Sequence, residues 1–350
     1  MMRFVEAFED LASDRYDAVI DVRSPGEFEE DRLPGAINLP VLTNEERAQV
    51  GTIYVQESAF KAKRIGAALV ARNIALHLEM ALAGRPKTFH PLIYCWRGGS
   101  RSNAMATILS QVGWRVSVVK GGYQTYRRAV KARLYDQPCS LKLILLDGNT
   151  GSAKTEILGR LAARGVQVLD LEGLAGHRGS LFGAVPGSPQ PSQKMFESRL
   201  LTALAALDLS RPVVVEAESS RIGERFLPPA LWDAMRAAPV IELQVPRAAR
   251  VDYLLRAYRD IVENPATLEA AIARLPVHPG RKQIAGWREL AEAGDFAALA
   301  DGLIEHHYDP AYGRMRKKSE QAVIGVVEAA ALDDAGQDAA AEQIARLTTG

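Results

Sequence analysis

Residues 92–105 read LIYCWRGGSRSNAM, and the whole chain is read outward from them. The apolar run Leu92-Ile93-Tyr94 predicts a buried strand of a parallel sheet. Asn103-Ala104-Met105-Ala106-Thr107-Ile108-Leu109 has the pattern of a helix. Between them lie Cys95 and the loop Trp96, Arg97, Gly98, Gly99, Ser100, Arg101. A cysteine at a strand's carboxyl end, in a glycine-rich turn feeding a helix, sits where backbone N–H groups and the helix dipole hold an anion. The same field favours thiolate over thiol, and Arg97 and Arg101 add positive charge. The stretch therefore reads as an activated nucleophile beside a cradle for a tetrahedral oxyanion. A cysteine followed six residues later by arginine suits phosphatases and sulfur-carrying enzymes alike, and both stay open at this point.

Toward the N-terminus, Ala18-Val19-Ile20 predicts a strand ending in Asp21-Val22-Arg23-Ser24-Pro25-Gly26-Glu27-Phe28. A turn follows, Leu33-Pro34-Gly35-Ala36, then a short strand. The stretch from Thr43 to His77 reads as mostly helical, with Ile65, Ala68, Leu69, Ile74 and Leu76 on a core-facing side; His77 reads as structural. Beyond the cysteine loop, Val116-Ser117-Val118-Val119 predicts another strand, closed by Lys120-Gly121-Gly122-Tyr123. The polar run Tyr135–Ser140, with Pro138, marks a domain boundary. Cys139 there has no glycine cradle and reads as a bystander.

The second half opens with the apolar strand Leu141–Asp147, then Gly148-Asn149-Thr150-Gly151-Ser152-Ala153-Lys154-Thr155, then a helix. Strand, glycine loop and helix are the context of a P-loop. Its backbone N–H groups would wrap phosphate oxygens, Lys154 would neutralise them, and Thr155 could reach a Mg²⁺. Ala153 stands where the last glycine is usual, and its methyl narrows the backbone angles open to the loop. Val166–Leu171 predicts the next strand. The run Glu172–Gly183 is too rich in glycine to predict a helix, and its His177, Arg178 and Ser180 are candidates to face the P-loop ligand. Pro212–Val215 predicts a strand ending in Glu216. That carboxylate either takes the Walker-B place near a metal or its water, or pairs with Arg221. With Val240–Val245 the alternation gives a doubly wound α/β domain, its ligand at the strands' carboxyl ends.

From Pro246 onward helices dominate. Arginines interleaved with Tyr253, Tyr258, Trp287, Tyr308 and Tyr312, followed by Arg314, Arg316, Lys317 and Lys318, suit phosphate contacts and stacking on unpaired bases. His306 and His307 have no partner at metal-ligand spacing, so no metal site is expected. A short amphipathic helix is expected in the tail after Glu328. The expected domains are 1–137, 138–245 and a helical, tRNA-contacting 246–350.

The chain has 350 residues, enough for two domains with substantial cores. A net charge of +1 gives no global sign of nucleic-acid binding, so any basic surface is local. Two cysteines cannot build a disulfide scaffold, which makes a reducing cytoplasm the default compartment. Neither a signal pattern nor an apolar run near the roughly 18 residues of a membrane helix is present. A soluble cytoplasmic protein with no membrane partner is expected.

Taken in order, DVRSPGEF, PGAINLP, the cysteine loop and VVKGGY resemble a rhodanese domain over roughly residues 5–135. One departure is the loop arginine, which simple rhodaneses place five residues after the cysteine; here it is six, which implies a larger bound group. Joined to a P-loop domain, the motifs YCWRGGSRS, LDGNTGSAKT, LEGLAGHRGSLFG and VVVEAESSRIG resemble the tRNA 2-selenouridine synthase family over roughly residues 5–320. The resemblance implies two linked reactions on the wobble 2-thiouridine of certain tRNAs. Geranyl is first transferred from geranyl diphosphate to the sulfur. The S-geranyl group is then replaced with selenium from selenophosphate, which Cys95 would carry as a perselenide, and a selenophosphate-producing enzyme becomes a candidate partner. Gly148–Thr155 would grip the diphosphate of the prenyl donor. The competing readings are a sulfurtransferase fused to a P-loop kinase or ATPase, a Cys95 phosphatase with Asp21 as general acid, and an RNA- or partner-binding protein with a relic cysteine loop.

Overall fold

The computed structural model describes residues 2–5, 13–180, 182–183, 187–275, 280–316 and 320–348. Twelve strands are described: β1 (Met2–Val5), β2 (Ala18–Asp21), β3 (Ala36–Asn38), β4 (Pro91–Tyr94), β5 (Val116–Val119), β6 (Lys142–Asp147), β7 (Gln167–Leu169), β8 (Pro212–Glu216), β9 (Arg221–Ile222), β10 (Arg225–Phe226), β11 (Val240–Gln244) and β12 (Val323–Glu328). The chain divides into two compact units, Met1–Asp136 with Ser192–Thr202, and Gln137–Pro191 with Ala203–Gly350.

The first unit holds a five-stranded sheet in the order β1-β5-β4-β2-β3. Every pairing in it is parallel. The two central strands are buried along their whole length, as a sheet covered on both faces requires. Asp21 lies opposite Tyr94 in the β2–β4 register, so the DVRS turn and the cysteine loop leave the same edge of the sheet. The predicted insertion is two helices, Asn44–Gln56 and Ala59–Glu79. The second buries Ala62, Gly66, Val70 and Ile74, spaced four apart, with Leu69 partly packed on the core. Ile65 is only half-buried, whereas Ala68 and Leu76 face solvent, because the buried stripe keeps the four-residue spacing from Ala62 to Ile74 and leaves them to its side. His77 Nε2 meets Pro40 O at 2.9 Å, a structural contact.

The second unit is a parallel five-stranded sheet in the order β12-β11-β6-β8-β7. β6, which feeds the P-loop, is central and apolar between β11 and β8. Among the elements that were not expected, β12 is an edge strand, and the helix Leu171–Ala175 covers the start of a run read as irregular. That helix forms despite Gly173 because both ends are capped: Asp170 accepts the Gly173 N–H at 2.7 Å, and Gly176 takes the left-handed conformation that closes it. The expected tail helix is Asp334–Thr348, which packs Ala340, Ala341 and Ile344 into the core under the sheet. The helices after Pro246 build a separate core around the fully buried Trp287. Trp287 and the buried Tyr308 therefore pack inside the protein and offer no face for stacking on bases. Among the described residues no helix is long and apolar enough to cross a membrane. Lys317 and Lys318 lie outside the described residues.

Candidate active sites

Each unit presents one chemically equipped loop at the carboxyl edge of its sheet. In the first, β4 ends at Tyr94, and the helix Ser100–Val112 starts after Gly99, leaving Cys95–Gly99 as the turn between them. Cys95 is 3 % exposed, and its Sγ lies 3.2 Å from Ser102 Oγ on the first turn of that helix. Ser102 Oγ also reaches Gly99 O, so one hydroxyl ties sulfur and loop together. The loop closes against the Gly121–Gly122 turn by backbone-to-backbone contact. Gly122 has φ +60°, and a Cβ there would stand 2.3 Å from Cys95 O and 2.4 Å from Gly98 N. Gly98, at φ +64°, would meet Val119 O and Gly121 N at 2.7 Å. No L-residue with a side chain fits either place without moving the loop. The N–H groups of Tyr123 and Gln124 donate to Cys95 O and Trp96 O, which fixes the carbonyls away from the helix start.

Two arginines flank the sulfur in different ways. Arg97 is exposed and makes no ion pair among the described residues. Arg101 donates to Glu27 at 2.8 Å. Burial raises the Glu27 carboxyl, but the Arg101 hydrogen bond and charge, with the Ser24 N–H, hold it below the usual range. Ser100 is exposed at the helix start. Below the loop, Asp21 is fully buried and accepts from Arg23 Nε, a terminal nitrogen and the backbone N–H, while Arg23 lies 4.1 Å from the Tyr123 ring centre. Buried and taken up by Arg23, Asp21 is not placed to reach a leaving oxygen over the loop, and the phosphatase alternative loses its general acid.

In the second unit β6 ends at Asp147, and the helix Lys154–Ala163 begins after Ala153. Ala153 is the one residue other than glycine with positive φ among the described residues, at φ 56° and ψ 33°. It adopts the left-handed conformation that the missing glycine would have taken. Gly148 and Gly151 are needed for space: a Cβ on Gly148 would lie 2.5 Å from Ser152 Oγ, and one on Gly151 2.9 Å from Leu254 Cγ. Two helices from beyond Pro246 brace the loop. Asn149 donates to Asp309 at 2.9 Å. Asp309 takes both arms of the buried Arg250, which also reaches Thr150 O. Arg316 grips Asp147 at 2.7 Å. The sequence offered no pointer to Arg250 or Asp309, which lie about 100 and 160 residues beyond the loop they hold.

A cleft of about 330 Å³ opens over this loop, lined by Thr150–Glu156, Glu172, His177, Arg178, Ser180, Glu218 and three tyrosines, Tyr253, Tyr258 and Tyr312. The candidates His177, Arg178 and Ser180 thus meet the P-loop. Arg178 forms a two-pronged pair with Asp260 and stacks 5.0 Å from the Tyr258 ring centre. Ser180 Oγ is 2.9 Å from Tyr258 OH. His177 accepts the Gly179 N–H, and burial, then Arg178, push its pKa down. Lys154 Nζ donates to Gly148 O at 2.7 Å. Burial opposes its charge, but Tyr312, Glu218, Glu172 and Asp147 raise its pKa on balance. Thr155 Oγ1 donates to Glu172 at 2.9 Å. Glu172, pressed by burial and by Glu218, has its pKa pushed up to about 8.

Glu216 is fully buried and accepts the Glu172 N–H at 3.0 Å. Burial, then Asp170, raises its pKa well above the carboxylate range. Arg221, offered as its alternative partner, is exposed and donates instead to Gly223 O, because it lies beyond the turn and outside the sheet edge. Neither residue lines the cleft; Glu216 supports the backbone of Glu172, which does. Among the described residues no three histidine, cysteine or acidic side chains converge to hold a metal.

Comparison with known proteins covers both loops. Residues 5–129 match the rhodanese-like domain, and residues 141–273 match the tRNA 2-selenouridine synthase AAA domain. A tRNA 2-selenouridine synthase of Nitrosomonas europaea is 37 % identical over 69 % of this chain and 63 % of its own length. One from Aeromonas salmonicida is 38 % identical over 69 % of this chain and 64 % of its own. In both alignments the chain spans just under two thirds of the relative. A third, from Cronobacter sakazakii, is 33 % identical over 87 % of this chain and 88 % of its own length. That last alignment runs through the cysteine loop and the P-loop together, and with it the chain belongs to the tRNA 2-selenouridine synthase family.

Proposed function

We propose that this chain replaces the sulfur of a wobble 2-thiouridine in tRNA with selenium, by way of a prenylated intermediate. The observation that carries the reading is the pairing in one chain of a rhodanese-type cysteine loop with a P-loop whose Lys154 and helix start face an open cleft. In the first reaction the thiocarbonyl sulfur attacks C1 of geranyl diphosphate. The C1–O bond breaks, diphosphate leaves, and the uridine loses its N3 proton. The P-loop residues Gly148, Asn149, Thr150, Gly151, Ser152, Lys154 and Thr155 would hold the diphosphate and take up the charge that develops as it departs. Oxygen donors of the kind Mg²⁺ prefers stand beside the loop, namely the Thr155 hydroxyl and the Glu172 carboxyl; bound there, the ion would supply charge neutralisation on the diphosphate.

Alkylation turns sulfur into a good leaving group, so the second reaction exchanges the C2–S bond for a C2–Se bond and releases geranyl thiol. Selenophosphate supplies the selenium in the Cys95 loop: water takes its phosphoryl group as phosphate, the P–Se bond breaks, and the selenide released beside Cys95 attacks C2. The N–H groups at the start of the Ser100–Val112 helix, with the free Arg97, would hold its phosphate half. Arg101 would join them on leaving Glu27.

The test uses purified protein with 2-thiouridine tRNA, geranyl diphosphate and then selenophosphate, with the nucleoside followed by mass spectrometry. Cys95→Ser is expected to stop at the geranyl adduct, and Lys154→Ala to slow its formation. A nucleoside mass that never changes while ATP is hydrolysed would put the sulfurtransferase–ATPase alternative in its place.

A further inference from the structure

Beside the P-loop cleft lies a second cavity of a different character. Its walls carry no charged side chain: apart from Thr150, Ser180 and two tyrosine hydroxyls they are hydrocarbon. Thr150, Ser180, Leu254 and Tyr258 line both spaces, so these four form the shared rim. Phe182, Val262, Leu268, Phe296, Leu299 and Ala300 line the apolar cavity and not the cleft. Thr150 belongs to the P-loop itself. A ligand whose phosphates sit on that loop would therefore have its next atoms at the mouth of a greasy pocket.

We propose that this cavity takes the hydrocarbon tail of the prenyl donor and that its lining discriminates donors by chain length. The assignment rests on the P-loop holding a prenyl diphosphate, as proposed above, and adds where the tail goes and what measures it. The hydrocarbon walls begin at Thr150 of the P-loop itself, so a donor whose diphosphate sits on that loop passes its tail over the shared rim into the cavity. A longer tail needs more of this space, and a five-carbon donor uses less of it. A nucleotide base is a poor occupant, since its ring nitrogens and exocyclic groups would find few polar partners on these walls.

The experiment measures prenyl transfer to 2-thiouridine tRNA from five-, ten- and fifteen-carbon diphosphates, by the full-length protein and two variants. Phe296→Ala enlarges the cavity, and Ala300→Leu narrows it. One missing or added group in an apolar pocket changes selectivity tenfold or more. Phe296→Ala is therefore expected to raise the fifteen- to ten-carbon ratio of kcat/KM at least tenfold. Ala300→Leu should lower the ten- to five-carbon ratio by a similar factor. Inhibition by inorganic diphosphate should stay within about twofold of wild type in both, because the P-loop is untouched. Opposite movements of two ratios cannot arise from partial unfolding, which lowers all rates together. If the wild type transfers geranyl and neither ratio moves, the cavity assignment is overturned while the P-loop reading stands. If the wild type transfers no prenyl group from any donor, the underlying reading fails.

Discussion

Replacing Glu172 by Gln tests the electrostatics of the P-loop cleft most directly. The carboxyl is 9 % exposed, and burial together with Glu218 raises its pKa from 4.5 to about 8. Between those values the folded protein keeps a proton that the unfolded chain has released. The native state then binds more protons than the unfolded state, so stability falls as pH climbs through the window and levels off above about 8. A carboxyl moved from 4.5 to about 8 corresponds to about 5 kcal/mol at about 1.4 kcal/mol per pH unit. This is an upper bound, because a carboxylate in the wall of an open cleft draws in water that softens the cost of its charge. Gln keeps the shape and can still accept from Thr155, but carries no charge at any pH. Urea unfolding at pH 5, 7 and 9, read from peptides of the second unit by pulsed hydrogen exchange, should show the wild type losing a few kcal/mol across the range. Glu172→Gln should lose much less and exceed the wild type at pH 9. Parallel curves for the two proteins would refute the reasoning.

Other outcomes follow from the same geometry. Gly122→Ala places a Cβ against Cys95 O and Gly98 N; it should abolish the selenium step yet leave geranyl transfer within about twofold, as the nucleoside products would report. Ala153→Gly relieves a left-handed residue worth about 1–2 kcal/mol but loses a buried methyl worth about 0.8 kcal/mol and adds chain entropy. Net stability should therefore change by less than about 1 kcal/mol in urea unfolding. Asp309→Asn strips the carboxylate from buried Arg250 and should cost about 3 kcal/mol, with a raised KM for the prenyl donor as the P-loop loosens.

The local chemistry was legible because it is written in short sequence. Cys95, its two glycines and its arginines sit within seven residues, and so do the glycines and lysine of the P-loop. Each motif lies between an apolar strand and a helix, so its place in the fold followed from its neighbours. The supports of these loops come from far along the chain. Gly122 closes the cysteine loop, and Arg250 with Asp309 holds the P-loop. Glycine can be read as a turn, but not as the turn that another backbone must touch. An arginine followed much later by an aspartate carries no local sign of a two-pronged pair. Strand β12 escaped for a related reason: its residues are mostly exposed and Gly325 interrupts them, so it shows little of the uninterrupted burial that marks β4 and β5.

The arginine–tyrosine pattern after Pro246 shows how exposure, which composition does not give, sorts its members. Interleaving along a helix says that two residue types are near in sequence, not that both face solvent. Trp287 became the centre of a core, because a large apolar ring gains more from burial than a surface can return. Arg247 pairs with Asp301 and Glu305, Arg288 with Glu269, and Arg250 with Asp309, so these charges are already answered within the protein. Tyr253, Tyr258 and Tyr312 turned inward, toward the P-loop cleft. Tyr258 does so at the rim where that cleft meets the apolar cavity: its ring faces Arg178 and its hydroxyl meets Ser180. Tyr258 therefore stands between a polar space and an apolar one. A ligand with a charged head and a hydrocarbon tail needs that division.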